Sequence, residues 1–166
     1  MKTLTLLRHA KSSWKHPEID DFERPLNKRG EEDAPNMGRR FAARAARPDA
    51  VVASPARRAL ETARLFCPEM GYPIKKIVEE RRIYGTPAPL LLPVIHDLDD
   101  AWGHVLLIGH NPALSDLARL LCRYDGEELP TCALVQISFP VEHWWQVDEG
   151  GGRCEFVDYP KAEDGK

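Results

Sequence analysis

The chain has 166 residues, 43% of them hydrophobic and 30% charged, with a formal net charge of −3. That length predicts a single domain over residues 1–166 with a core of its own. The balance excludes intrinsic disorder and gives no pull toward nucleic acid or an acidic membrane surface. No apolar run approaches the roughly 18 residues of a spanning helix. Met1–Leu7 reads as a strand rather than a signal peptide, so cytoplasmic residence is expected. Cys67, Cys122, Cys132 and Cys154 stand far apart without a CxxC pair. They read as reduced, mostly buried thiols and predict no metal site.

Taken in chain order, an apolar strand is expected at Thr3–Leu7 and a helix at Asn27–Ala46, capped by Asn27 and closed by Pro48. Pro35 predicts a kink or a restart inside that helix. A second strand follows at Ala50–Ala53, then a helix opened by Pro55 and running to Phe66. A weaker strand is expected at Lys75–Val78 and a helix at Pro89–Leu98. Val105–Ile108 forms the next strand, and Pro112 opens a helix through Leu121. Ala133–Phe139 and Arg153–Val157 read as late strands, with a turn at Gly150–Gly152. Alternating strands and helices predict an α/β three-layer sandwich, its central and mostly parallel sheet flanked by helices. Such sheets bind ligands beyond the carboxyl ends of their strands. That rule brings His9, Ser54 and His110 to one rim.

Arginine crowds the first half of the chain, and Arg39, Arg40, Arg44, Arg47, Arg64, Arg81 and Arg82 read as solvated helix faces. Those that follow strands are different. Arg8-His9 follows the first strand, Ser54-Pro55-Ala56-Arg57-Arg58-Ala59 the second, and Gly109-His110-Asn111-Pro112 the third. Guanidinium groups grip phosphate oxygens in pairs, and helices that begin at such turns add free N–H groups. Neighbouring cations disfavour imidazolium, which leaves His9 neutral with a lone pair for attack on phosphorus. The chemistry this predicts is in-line phosphoryl transfer to His9 followed by hydrolysis, with arginine supplying the charge and no metal or cofactor required. His16, His96, His104 and His143 have no such placement. Trp14, Trp144 and Trp145 read as core or edge packing.

Leu6-Leu7-Arg8-His9, Ser54 through Ala59 with Thr62-Ala63, and Gly109 through Pro112 resemble, in order and spacing, the three signatures of the histidine phosphatase superfamily, whose fold is phosphoglycerate mutase-like. Chain length and Arg24-Pro25-Leu26-Asn27-Lys28-Arg29-Gly30 are similar to its small SixA-like branch, which includes protein phosphohistidine phosphatases. The resemblance implies His9 as the phosphorylated nucleophile and Arg8, Arg58 and His110 as phosphate ligands, helped by the Asn111 backbone N–H. It leaves Arg57 outside the pocket and sets Asp21 and Arg24 at the mouth. Larger relatives carry Gly-Glu after the nucleophile, where Ala10-Lys11 stand here, and a glutamate acid on an insertion that is short here. Asp21, Glu79 and Glu80 are loose candidates for that acid.

An alkoxide leaving group needs a proton, whereas a phosphohistidine protonated on its other ring nitrogen leaves as neutral imidazole. A phosphohistidine-bearing signalling or phosphotransfer protein is therefore the expected substrate. A phosphomonoesterase acting on small metabolites or sugar phosphates is the alternative. A phosphate-binding module without catalysis is a third reading, but binding alone requires no nucleophile beside Arg8, Arg58 and His110.

Overall fold

In a sheet covered on both sides, successive apolar side chains must each find a helix, and here they find two pairs. A computed structural model describes residues 1–44 and 47–162. Its strands are β1 (Lys2–Arg8), β2 (Ala50–Ala53), β3 (Val78–Glu79), β4 (His104–Gly109), β5 (Leu134–Phe139) and β6 (Arg153–Asp158). The helices are α1 (Lys28–Arg44), α2 (Arg57–Phe66), α3 (Ala88–His96) and α4 (Ala113–Cys122). Leu4, Leu6, Val105 and Leu107 bury one sheet face under α3 and α4, together with Leu91, Ile95, Leu114 and Leu117. Leu7, Val51, Ala53, Leu106 and Ile108 bury the other against Met37 and Phe41 of α1 and Ala63 and Phe66 of α2. Each fully buried leucine contributes about 2 kcal/mol of apolar transfer. None of these helices is long and apolar enough to cross a membrane.

The sheet runs β3-β2-β4-β1-β5-β6. β3, β2, β4 and β1 are mutually parallel, β5 is antiparallel to β1, and β6 is antiparallel to β5. Only β5 is reversed, so the sheet is mostly parallel as the alternation of elements predicts. Arg8 pairs with Gly109 and Ala53 with Ile108. The carboxyl ends of β1, β4 and β2 are therefore level, with bonds from His9 N to Gly109 O at 3.0 Å and from Ser54 N to Ile108 O at 3.0 Å continuing the ladder.

The structure corrects several boundaries. α1 does not restart at Pro35. Packing of Ala34, Met37, Gly38 and Phe41 carries it across, overriding the lost N–H. The expected last two helical residues, Ala45 and Ala46, lie outside the described residues. α2 begins at Arg57, two residues after Pro55, and Pro112 caps α4 from outside. Lys75–Val78 is largely a 3-10 turn over Ile74–Lys76, and only Val78–Glu79 pairs with β2. All four cysteines are free, with Cys67 and Cys132 buried but Cys154 exposed. Trp144 is fully buried, whereas Trp14 and Trp145 lie outside the core at 73% and 63% exposure.

α1 meets α2 through a glycine: a Cβ on Gly38 would stand 2.6 Å from the Phe66 carbonyl oxygen. Alanine gains about 1 kcal/mol of helix propensity, but the backbone clash belongs to the overpacking range of about 1–3 kcal/mol. Gly38→Ala is expected to lower the Tm by a few degrees in thermal unfolding. An unchanged or higher Tm would show that the interface yields.

Candidate active site

His9 leaves β1 at its carboxyl end and is 6% exposed. Its Nδ1 lies 2.7 Å from the Ala10 carbonyl oxygen. A carbonyl only accepts, so Nδ1 carries the hydrogen and Nε2 keeps the lone pair. The Ala10 loop is in turn fixed: Ala10 N–H donates to Thr62 Oγ1 at 2.9 Å, and Thr62 donates to the Arg58 carbonyl at 2.7 Å. Gly30 lets α1 close on the same loop, since a Cβ there would stand 2.2 Å from Lys11 O. The His9 and His110 rings are 5.2 Å apart.

The adjacent arginines of α2 part company. Arg58 turns inward, 6% exposed, donating to the Asp21 carbonyl at 2.7 Å and to Asp21 Oδ2 at 3.1 Å. Arg57 turns outward to Glu61 at 2.9 Å. Arg8 donates to the Leu129 carbonyl at 2.7 Å, and the same oxygen receives Asn111 Nδ2 at 2.9 Å. The Asn111 side chain also accepts from Ser115 N–H at 3.2 Å, so both ends of its amide are engaged by the protein. His110 Nε2 lies 2.7 Å from Ser54 Oγ. Arg24 bonds Ser12, donates to Asp21 Oδ1 at 3.2 Å, and lies 3.7 Å from the centroid of the Trp14 ring.

Four buried nitrogens in this cluster have no hydrogen-bond partner: Arg8 Nε, Arg24 Nε, Arg58 Nε and His110 Nδ1. An orphaned buried donor costs about 1–3 kcal/mol, and an oxyanion is the kind of group that accepts from guanidinium nitrogens. Burial lowers the His9 pKa to about 3, aided by His110, Arg58 and Arg8 and opposed by the bond to Ala10. Burial, with Arg58 next, lowers His110 to about 4. Burial works to raise the Asp21 carboxyl, but hydrogen bonds from Tyr84, Arg24 and Arg58 and the Arg58 charge outweigh it and hold the pKa to about 2.

The structure thus brings Arg8, His9, Arg58 and His110 together, with Asp21 and Arg24 beside them. Glu79 and Glu80 stay apart. Glu79 lies on edge strand β3, and Glu80 bonds Arg82 at 3.0 Å. Sequence reasoning missed Thr62 as a tie, the Leu129 carbonyl as a hub, and Tyr84. Thr62 falls inside the second signature and was open to notice. The other two lie in segments without periodicity.

Residues 4–81 match the family described as histidine phosphatase superfamily (branch 1). The chain is 29% identical over 153 residues to an uncharacterized protein of Mycobacterium tuberculosis, covering 87% of this chain and 93% of that one. A candidate SixA phosphohistidine phosphatase from Agrobacterium tumefaciens superposes with a TM-score of 0.77 at 26% identity, covering 96% of this chain and 98% of the other. A mycobacterial glucosyl-3-phosphoglycerate phosphatase has the same fold, with a TM-score of 0.70 at 15% identity over 93% of this chain and 97% of its own. Fold and clustered motifs place the chain among the phosphatases, which are hydrolases. Residues 4–81 carry the match to that superfamily, and the whole chain has the phosphoglycerate mutase-like fold.

Two outcomes follow from this geometry. Thr62→Val keeps the shape but strands the buried Ala10 N–H, so chemical denaturation should show a loss of about 1–3 kcal/mol. The second concerns acid. His9, His104 and His110 have lowered folded pKa values, at about 3, 4 and 4. Between those values and the unfolded ~6.5, the unfolded chain binds more protons. Stability is therefore expected to fall as pH drops from about 6.5 toward 4, and less steeply in His9→Gln. A flat profile in the parent protein would contradict the lowered values.

Proposed function

We propose that this chain is a cytoplasmic, single-domain, metal-independent phosphatase that removes phosphate from phosphohistidine on a protein by way of a phosphorylated His9. His9 Nε2 attacks phosphorus in line as the bond to the substrate ring nitrogen breaks. A substrate imidazole carrying a hydrogen on its other nitrogen departs neutral. Water then attacks the phosphorus on His9, the P–Nε2 bond breaks, and inorganic phosphate leaves with the lone pair restored to Nε2.

Each neighbour has a part in this reading. Arg8 and Arg58 bind equatorial oxygens, where they stabilise the charge of a loose transition state. Ser54 is fully buried, so its hydroxyl hydrogen needs a protein acceptor, and in this reading it takes His110 Nε2 at 2.7 Å while Ser54 Oγ accepts from Ala56 N–H at 3.2 Å. That leaves the hydrogen of neutral His110 on Nδ1, ready for a phosphate oxygen. The Asn111 backbone N–H adds a further donor, and Arg24 reaches the group from the mouth.

The observation that carries the choice of substrate is the state of Asp21. It is the candidate acid in contact with Arg58, and with a pKa of about 2 it holds no proton near neutral pH. A leaving group that needs no proton fits such a pocket better than an alkoxide. A cleft of about 320 Å³ runs from His110 between Thr86–Pro87 and Pro112–Asp116, giving room for more than phosphate.

The test is acid-labile labelling of His9 together with turnover of a phosphohistidine protein and of sugar phosphates. His9→Ala is expected to abolish both labelling and turnover, and retention of full turnover would sink the mechanism. Sugar phosphates turned over orders of magnitude faster than phosphohistidine would overturn the substrate. Arg58→Ala is expected to cost about 10²–10³-fold in kcat, as for other oxyanion donors, and Arg57→Ala no more than a few-fold. Comparable losses would mean that α2 presents the other arginine. Chelators should leave the rate unchanged.

A further inference from the structure

The segment joining β3 to α3 carries none of the three signatures, yet it delivers a side chain to the pocket. Arg81–Ile83 form a single 3-10 turn, anchored by the buried Ile83 and by Glu80, whose carboxylate accepts the Arg82 N–H at 3.0 Å. Arg82 also reaches Asp97 at 2.9 Å. Gly85, at a φ of 70°, then turns the chain away. Between these fixed points stands Tyr84.

Tyr84 touches both sides of the site. Its hydroxyl donates to Asp21 Oδ2 at 2.7 Å, the same oxygen that receives Arg58 at 3.1 Å. Its ring meets His110 edge-on, with centroids 5.6 Å apart and planes at 75°, and meets Phe22 in the same way at 5.1 Å. A half-buried phenol has water available as a partner, so packing alone does not require the bond to Asp21. The bond has a specific effect. An aspartate carboxylate rotates over a broad, roughly two-fold well. Arg58 at 3.1 Å on Oδ2 and Arg24 at 3.2 Å on Oδ1 hold that rotation loosely, whereas the shorter Tyr84 bond, at 2.7 Å on the oxygen that Arg58 uses, pins it, and the guanidinium with it.

We propose that Tyr84 is a positioning residue of the phosphate pocket: through Asp21 it orients Arg58, and through its ring contact it orients His110. The proposal rests on the reading of Arg58 and His110 as phosphate ligands. Catalysis by preorganised donors depends on their standing in place before charge develops, and small misplacements are costly. Tyr84 acts only through its neighbours and exchanges no proton with substrate.

The experiment compares Tyr84→Phe, Tyr84→Leu, Asp21→Asn and the double variant Y84F/D21N. Four quantities are read: kcat and KM on p-nitrophenyl phosphate, the affinity for orthovanadate, and Tm. Tyr84→Phe keeps the ring contacts and removes only the hydroxyl. It is expected to lower kcat and vanadate affinity together by about tenfold, below the loss of a whole oxyanion donor. KM and Tm should change little. Tyr84→Leu should cost more than Tyr84→Phe, because His110 also loses its support. Adding Tyr84→Phe to Asp21→Asn should cost little further, since both act through one carboxylate.

Parent-like kcat and vanadate affinity in Tyr84→Phe would overturn the proposal, as would losses that simply multiply in the double variant or that follow Tm. The failure of the functional reading looks different. A parent protein that binds vanadate but turns over nothing would refute the phosphatase mechanism, while the vanadate affinities of the variants would still decide the role of Tyr84. A parent protein that does neither would overturn both.

Discussion

The bond from His9 Nδ1 to the Ala10 carbonyl is the contact on which the rest of the site depends. At 2.7 Å it assigns the ring hydrogen to Nδ1, so the lone pair is on Nε2. Were the loop free to turn its carbonyl away, the tautomer would no longer be set and the lone pair could face the protein. Much of the surrounding fold serves to prevent that. Thr62 holds Ala10 from α2, the bare Cα of Gly30 lets α1 close over Lys11, and β4 takes the His9 N–H. A single backbone carbonyl is thus held by three elements that are distant in sequence. Burial adds the second condition, since a desolvated ring among cations resists protonation and keeps its lone pair.

How much of this was legible in the sequence depends on whether a feature is periodic. Leu4, Leu6 and Leu7 stop at Arg8-His9, Val51–Ala53 stop at Ser54, and Val105–Ile108 stop just short of His110. Short apolar runs that end in chemistry reveal both the sheet and its rim, because parallel strands collect ligands at one end. The separation of Arg57 from Arg58 was also accessible, since one residue is 100° of helix and only one neighbour can face in. Tyr84 and Leu129 were not. They lie just after a 3-10 turn and in a loop, and their importance comes from partners 63 and 121 residues away. Trp14 was misread because an exposed indole has a local use that composition does not reveal: its face carries the guanidinium of Arg24. The restart expected at Pro35 does not occur, because the packing of Ala34, Met37, Gly38 and Phe41 outweighs one missing N–H.

The choice of acceptors for the two inner arginines explains why the site can hold charge. Arg8 rests on the Leu129 carbonyl, and Arg58 on the Asp21 carbonyl and one oxygen of its carboxylate. A carbonyl satisfies a guanidinium's geometry without cancelling its charge, whereas a full set of carboxylates would neutralise the pocket before any phosphate arrived. Asp21 is the compromise, because its single charge is shared among Arg58, Arg24 and Tyr84. That sharing keeps the guanidinium groups near the pocket from repelling one another apart and leaves a positive surplus facing the histidines. The same guanidinium groups, with Tyr84, keep the carboxyl ionised. On the proposed reading, a pocket built this way stabilises phosphoryl oxygens but donates protons poorly, which suits a phosphoramidate better than an alkyl ester.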